Sequence, residues 1–203
     1  MRLKADDTMK LLLEENLIDD SEKELINYGI KRAKSIGISI VVSLLLGCCM
    51  GILPESSLFL ISIILLRSYA GGFHAKNSKS CGVISFLILI FAYLVIKYLV
   101  IDTGVIVAIL TICLYVIYFF APMESANREL DSIEKKVFKK IARIISAILY
   151  IGVICCIYLQ QKSYANALFS SIVVAAGLII VEVVMVKIRN KRGKSENAKE
   201  EKN

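Results

Sequence analysis

Between two strongly apolar runs lies the polar stretch Arg67-Ser68-Tyr69-Ala70-Gly71-Gly72-Phe73-His74-Ala75-Lys76-Asn77-Ser78-Lys79-Ser80-Cys81. It contains His74, the single histidine of the chain, and Cys81, the one cysteine of six outside the predicted hydrophobic spans. The imidazole and the thiol are seven residues apart and follow a pair of glycines. A thiol with a nearby base can act as a nucleophile, so this stretch is the candidate centre of any chemistry.

The composition indicates a membrane protein. Hydrophobic residues fill 57% of the 203 positions, against roughly half in a soluble domain. The net charge of +7 comes from basic residues at the edges of apolar runs, which follows the positive-inside rule and argues against a nucleic-acid partner. The cysteines show no disulfide or zinc-site spacing, so we expect no metal and no cofactor. We also expect no cleavable signal peptide, because the N-terminus is charged and the first apolar run starts late.

The apolar runs predict an all-α, polytopic membrane protein with six transmembrane helices. Four of the runs approach or reach the ~20 residues that a helix needs to cross the hydrocarbon. The second run is clearly short: taken as a helix from Pro54 to Tyr69 it covers about 24 Å, and a re-entrant hairpin is the alternative for it. The six runs are Ile36–Leu53, Ser57–Leu66, Gly82–Ile101, Gly104–Ala121, Ile141–Leu159 and Ala167–Val186.

Charge favours six crossings over five. With a cytoplasmic N-terminus, six crossings leave Lys162 as the lone cation of the outer loops, whereas five put residues 122–140 and the C-terminal tail on opposite faces. We therefore expect a multi-pass protein of the cell membrane, with both termini and the candidate site on the cytoplasmic face. The inner segments carry Arg67, Lys76 and Lys79, then Arg128, Lys135, Lys136, Lys139 and Lys140, then seven more basic residues from Lys187 to Lys202.

Three segments follow from this arrangement. Residues 1–35 are predicted to form cytoplasmic amphipathic helices, the first lying on the membrane surface or packing on the cytoplasmic loops. Ser21 and Glu24 have the spacing of a capping box for the second of these helices. Residues 36–188 form the membrane domain, and residues 189–203 are predicted to be a basic, disordered tail because they are charged and poor in apolar side chains.

His74 and Cys81 fit a thiolate–imidazolium pair. A neighbouring imidazolium lowers the pKa of a thiol from about 8.5 into the range of about 3.5 to 7.5, and it can then protonate a leaving amine. Gly71 and Gly72 could let backbone N–H groups approach a reacting carbonyl, as an oxyanion hole requires. The alternatives are palmitoylation of Cys81 beside the membrane and two ligands of a metal, for which the chain offers no second histidine.

The stretch from Arg67 to Cys81 resembles the core of the accessory gene regulator protein B family, membrane cysteine endopeptidases of Gram-positive quorum sensing. The resemblance covers nearly the whole chain in length and span order. The matching residues are Arg67, Gly71-Gly72, His74-Ala75-Lys76 and a cysteine seven residues after the histidine, together with Tyr28-Gly29-Ile30, Ala121-Pro122-Met123-Glu124 and Asn127.

The resemblance implies a reaction on a signal-peptide precursor. Cys81 would attack the scissile carbonyl near the C-terminal part of this propeptide, with His74 as base and acid, to give an acyl-enzyme thioester. In ring-forming systems a thiol or hydroxyl of the propeptide then attacks the thioester and forms a thiolactone or lactone. Arg67 matches a family arginine, for which orientation of a substrate carboxylate is one option. The family also leaves a homodimer open.

A second basic cluster, Lys135, Lys136, Lys139 and Lys140, precedes the fifth span. On a helix these lysines fall largely on one side, and the topology puts them on the face of the candidate site. They fit an acidic segment of the propeptide, or membrane lipids at about 1 kcal/mol per residue.

Two other function classes stay open: a non-catalytic membrane scaffold or lipidated anchor, and a small transporter. A transporter should bury ionisable groups near mid-membrane or break its helices symmetrically in two halves, and the sequence shows neither clearly. Glu182 lies near the inner end of the last span, where we expect it to be interfacial.

Overall fold

The computed structural model describes residues 36–71, 78–100, 102–123 and 131–200, with the backbone alone for 78–81, 132 and 189–200. Every regular element in these ranges is an α-helix, as predicted. The chain divides into two compact units, Met1–Val42 and Ser43–Asn203, and the contacts given below lie within the second. The helices are α1 (Ile36–Cys49), α2 (Leu53–Ala70), α3 (Ser78–Tyr98), α4 (Thr103–Phe120), α5 (Ser132–Tyr158) and α6 (Lys162–Glu200).

Local chemistry sets several helix ends. Pro54 lies in the first turn of α2, where its missing N–H leaves no hydrogen bond unmade. Asp102 caps α4, because its Oδ1 accepts a hydrogen bond of 2.8 Å from the backbone N–H of Gly104. Helix α2 ends at Gly71, whose φ of 72° lies in the left-handed region that favours glycine.

Four helices among the described residues are long and apolar enough to cross a membrane: α2, α4, and the segments Ile133–Tyr158 and Lys162–Ile188. Helix α2, predicted from the apolar run Ser57–Leu66, has 18 residues and is therefore about 27 Å long. The shorter apolar helical segments are Ile36–Cys49 and Gly82–Tyr98. The number of six crossings stays a prediction.

Helix α6 is the centre of the second unit, since it packs against α2, α3, α4 and α5. Residues 165–172 are all buried, and Ala175, Ala176, Ile179 and Glu182 continue this buried surface. Many of these side chains are alanine or serine. Small side chains let helices approach closely, and close packing is what holds helices together where lipid competes for every apolar contact.

The helix termini of the second unit lie at two opposite ends of the helix bundle. Asn166 Nδ2 donates hydrogen bonds to the carbonyl oxygens of Leu99 (3.0 Å) and Ile96 (3.4 Å), so α3 finishes where α6 begins. Lys97 Nζ donates to the Met50 carbonyl (2.8 Å) and brings the end of α1 there as well. We call this the Asn166 end. At the opposite end, the Gly71 end, α2 and α4 finish and α5 begins.

A buried polar contact joins α1 to α3 within this unit. The hydroxyl of Tyr93, which is fully buried, lies 2.5 Å from Ser43 Oγ and donates to the Ser43 carbonyl at 3.2 Å. A Cβ at Gly47 would collide with the side chain of Ser56, so glycine is needed where α1 and α2 approach. Hydrogen bonds between buried polar side chains stabilise helix pairs in an apolar surrounding.

For the two ends of the chain the sequence predicts amphipathic helices in residues 1–35 and a disordered tail in residues 189–203. The amphipathic helices predicted in residues 1–35 lie outside the described residues. The backbone of α6 continues as a helix to Glu200, through the segment predicted to be a disordered tail. Lys, Arg, Glu and Ala are good helix formers and no proline interrupts them, so the helix can continue past the membrane.

Candidate functional site

The predicted site residues are described to different extents. Arg67 lies in the last turn of α2 and is partly buried, and Gly71 follows directly after that helix. Cys81 is the fourth residue of α3, so its backbone lies in the first turn of that helix. Gly72 and His74 lie outside the described residues, and the pairing of His74 with Cys81 stays a prediction.

Gly71 is in contact with the segment that follows α4. The backbone N–H of Met123 donates a hydrogen bond to the Ala70 carbonyl (3.0 Å), and a Cβ at Gly71 would collide with the backbone of Met123. Ala70 and Ala121 are 1% and 3% exposed, and the Ala121–Pro122 peptide bond is cis. Two motifs that the sequence singled out separately, Gly71 and Ala121-Pro122-Met123, are therefore neighbours. Glu124 and Asn127, which belong to the second motif, lie outside the described residues.

The basic cluster of α5 lies at the same end. The rings of Tyr69 in α2 and Phe138 in α5 meet edge to face, with their centroids 5.6 Å apart. Phe138 stands between the lysine pairs, so this contact holds the first turns of α5 beside the end of α2. Lys135, Lys136 and Lys140 are exposed, and Lys139 is half-buried.

The described cysteines lie away from the Gly71 end. Cys48 and Cys49 end α1, Cys155 and Cys156 lie in the last turn of α5, and all four are therefore near the Asn166 end. Cys113 is buried among the apolar residues of α4. These thiols are free. The part of the chain that the structure describes holds no group of three or more His, Cys, Asp or Glu residues that could bind a metal ion.

Glu182 is only 3% exposed and belongs to the surface of α6 that packs on the other helices. Its predicted position at the membrane interface stays a prediction. Glu182 is 16 residues beyond Asn166, about 24 Å along the helix, which brings it to the level of the Gly71 end. In the sequence, Glu182 is a carboxylate within an apolar run, and an ionisable residue in such a position is a candidate for a functional role.

Arg143 is a residue whose contacts the sequence did not reveal. Its guanidinium carbon lies 3.6 Å from the ring centroid of Tyr118, and its Nη2 donates to the Tyr118 carbonyl at 3.1 Å. Arg143 therefore ties α5 to α4 just inside the Gly71 end.

Together, these features define a helical membrane protein in which the last turn of α2, the segment after α4 and the first turns of α5 meet at the Gly71 end. Comparison with known proteins identifies its kind. The chain belongs to the accessory gene regulator B family, whose family model matches residues 5–185.

Three relatives have sequences similar to this one. Putative AgrB-like protein 2 of Clostridium perfringens strain 13 is 29% identical over 73% of this chain and 74% of its own length. Protein FsrB of Enterococcus faecalis is 29% identical over 71% of this chain and 59% of its own length. A putative AgrB-like protein of C. perfringens strain SM101 is 26% identical over 58% of each. No solved structure matches the chain. Family membership implies a role in processing a quorum-sensing autoinducer peptide.

Proposed function

We propose that this membrane protein is a cysteine endopeptidase that cleaves a quorum-sensing propeptide, with Cys81 as nucleophile and His74 as its base and acid. The observation that carries the proposal is the contact of Gly71 with Met123. This contact brings the start of the polar stretch next to the segment after α4, and the contact of Tyr69 with Phe138 brings the basic turns of α5 to the same end of the bundle. A site at that end would have a reactive group, a fixed backbone and positive charge within reach of one substrate.

The position of Cys81 supports its role as nucleophile. Its backbone lies in the first turn of α3, and the N-terminal end of a helix carries a partial positive charge that favours an anion. Reactive cysteines are found in such settings because the thiolate attacks, not the thiol. Only six residues, 72–77, separate Gly71 from α3, and the proposed pairing of His74 with Cys81 rests on this short connection in sequence.

The proposed cleavage replaces the scissile C–N bond by a C–S bond to Cys81. His74 takes the proton of the Cys81 thiol, and the thiolate attacks the scissile carbonyl carbon. The new C–S bond forms as the C–N bond breaks, and the imidazolium gives its proton to the leaving amine. The C-terminal part of the propeptide leaves with a free amine, while the N-terminal part stays on Cys81 as a thioester.

The thioester then has two fates. Attack by a thiol or hydroxyl of the propeptide closes a thiolactone or lactone ring, and attack by water gives a linear acid. In either case the C–S bond to Cys81 breaks and the sulfur regains a proton. Ring closure needs no other energy source when the internal nucleophile is a thiol, because one thioester replaces another.

Substrate recognition is assigned to the positive charge at the Gly71 end. Lys135, Lys136, Lys139 and Lys140 would attract an acidic segment of the propeptide, and Arg67 in the last turn of α2 would orient a substrate carboxylate. Opposite charges steer association and set register more than they add affinity. We further propose that this end faces the cytoplasm, that both termini are cytoplasmic, and that the lysines also contact membrane lipids. A homodimer stays a prediction.

The test is co-production with the propeptide encoded beside the protein, followed by gel and mass spectrometry of the precursor. We expect Cys81→Ala and His74→Ala each to abolish processing. Cys48→Ala is the matched control, because it removes a free thiol at the Asn166 end and should leave processing unchanged. Normal processing by either site variant would exclude the dyad.

Topology is tested by labelling in a cysteine-light background. Single cysteines at positions 76 and 162 are exposed to a membrane-impermeant thiol reagent in intact cells. The six-crossing arrangement predicts that position 162 reacts and position 76 does not. Reaction of position 76 from outside would contradict the cytoplasmic site.

A further inference from the structure

Arg143 carries a positive charge whose hydrogen bonding is incomplete. Its Nη2 is bonded to the Tyr118 carbonyl, but its Nε is buried with no hydrogen-bond partner among the described residues. Within the same part of the chain, its recorded polar contacts are that carbonyl and the Tyr118 ring, and neither is a carboxylate. A buried donor without an acceptor is unfavourable by about 1–3 kcal/mol, and the charge of this guanidinium has no anionic partner among the described residues.

Arg143 lies deep enough in the bundle for its charge to need a counter-charge or polar partners. Phe138 marks the Gly71 end through its contact with Tyr69, and Arg143 follows five residues later, about 7.5 Å further into the bundle. Both α4 and the Ile133–Tyr158 part of α5 are apolar enough to cross a membrane. A cation inside the edge of the hydrocarbon is retained only when it has a counter-charge or polar partners.

Arg143 also borders an open groove between α4 and α5 with a volume of about 290 Å³. We call it the Arg143 groove; Thr111, Tyr115 and Tyr118 line one wall, and Arg143, Ser146 and Ala147 the other. The groove leads from the guanidinium toward Thr111 and Ala147, which are deeper in the bundle. The outer surfaces beside it are apolar, since Ile112 and Ile148 are 65% and 61% exposed. In a membrane these surfaces face lipid.

We propose that the Arg143 groove binds an anionic phospholipid. The phosphate accepts hydrogen bonds from the Arg143 guanidinium, and one acyl chain lies along Tyr115 and Ala147. Lys139 and Lys140, about one turn before Arg143, add positive charge at the level of the headgroup. A net negative headgroup is favoured over a zwitterionic one, because the guanidinium meets no protein carboxylate among the described residues. This site is independent of the proposed peptidase chemistry.

The test is lipid retention by the full-length protein in detergent, measured by native mass spectrometry with phosphatidylglycerol or phosphatidylcholine of the same acyl chains. We expect wild type to retain phosphatidylglycerol at least tenfold better than phosphatidylcholine. Arg143→Gln removes the charge, and Ala147→Phe fills the groove while leaving the charge in place. Each should lower phosphatidylglycerol retention at least tenfold. Lys162→Gln, which removes a cation at the Asn166 end, is the control and should retain the lipid as wild type does.

Melting temperatures without added lipid show whether each variant folds. Because Ala147 is exposed, Ala147→Phe keeps the test valid if Arg143→Gln does not fold. Equal retention of the two lipids by wild type would overturn the proposal, as would unchanged retention by the folded variants. Loss of propeptide binding with unchanged lipid retention would instead assign the groove to a peptide and overturn the lipid site.

Discussion

The backbone N–H of Met123 donates a hydrogen bond to the carbonyl oxygen of Ala70 across 3.0 Å. This bond joins the end of α2 to the segment that follows α4. Gly71 lies so close to the Met123 backbone that a side chain at position 71 has no room. The direction in which the polar stretch leaves α2 therefore depends on a contact with a segment far away in sequence.

Gly71→Ala is expected to lower both the melting temperature and propeptide processing. With a φ of 72° and a ψ of −151°, Gly71 lies in a region that is essentially restricted to glycine and costs other residues about 1–3 kcal/mol, and here the Cβ would also displace Met123. Thermal unfolding in detergent and precursor processing in cells measure the two effects.

Gly51→Ala is the control for a positive φ without a collision, because Gly51 has a φ of 71° and nothing within 4 Å of a Cβ. It should show the cost of a side chain at positive φ and keep processing. Equal losses for the two variants would mean that the Met123 contact has no role of its own.

Replacing Lys135, Lys136, Lys139 and Lys140 by glutamine is expected to raise KM for an acidic propeptide about tenfold with little change in kcat. Exposed charges contribute about 0.2–1 kcal/mol each, and four at about 0.35 kcal/mol make a factor of ten. The assay uses purified protein in a non-ionic detergent without anionic lipid. Lys162→Gln should leave KM unchanged. If the quadruple variant keeps its KM in detergent and loses activity only in anionic liposomes, the lysines serve as a lipid anchor.

Tyr69 and Phe138 are expected to be coupled by about 0.5–1.5 kcal/mol, the range for edge-to-face aromatic pairs. A double-mutant cycle with Tyr69→Leu and Phe138→Leu measures this coupling in the free energy of unfolding in mixed micelles. Tyr69→Leu combined with Phe86→Leu, an exposed position on α3, should be additive. If the Tyr69–Phe138 cycle is additive, the contact between these two rings does not hold α5 beside the end of α2.

Asn166→Ala is expected to lower the free energy of unfolding by about 1 kcal/mol. The amide bonds two carbonyls at the end of α3, and interhelical hydrogen bonds in membranes contribute about 0.6 kcal/mol on average and up to about 1.7 kcal/mol. Ser57→Ala is the control, since the Ser57 hydroxyl bonds only to the Leu53 carbonyl of its own helix. Equal stability of the two variants would show that Asn166 does not hold α3 to α6.

Helix type and order were predictable because each apolar run, including the short second one, is bounded by polar residues that lie next to it in sequence. For the second run the sequence predicts a helix from Pro54 to Tyr69, and helix α2 extends one residue further at each end, from Leu53 to Ala70, because proline fits the first turn of a helix and arginine fits the last. The sequence predicts a disordered tail from charge and low hydropathy, whereas the backbone of α6 continues as a helix to Glu200, since several of these residues are good helix formers.

The sequence by itself determined the helical membrane class, the position of the polar stretch and the residues that resemble a peptidase motif. These depend on hydropathy along the chain and on residue types at fixed spacings. Only the tertiary structure decided that Gly71 meets Met123, that Phe138 meets Tyr69, that Arg143 stacks on Tyr118 and that Glu182 is buried. The physical reason is that lipid is as apolar as a protein interior, so hydropathy cannot tell which face of a membrane helix packs on protein. Side-chain size and polar partners on neighbouring helices make that choice.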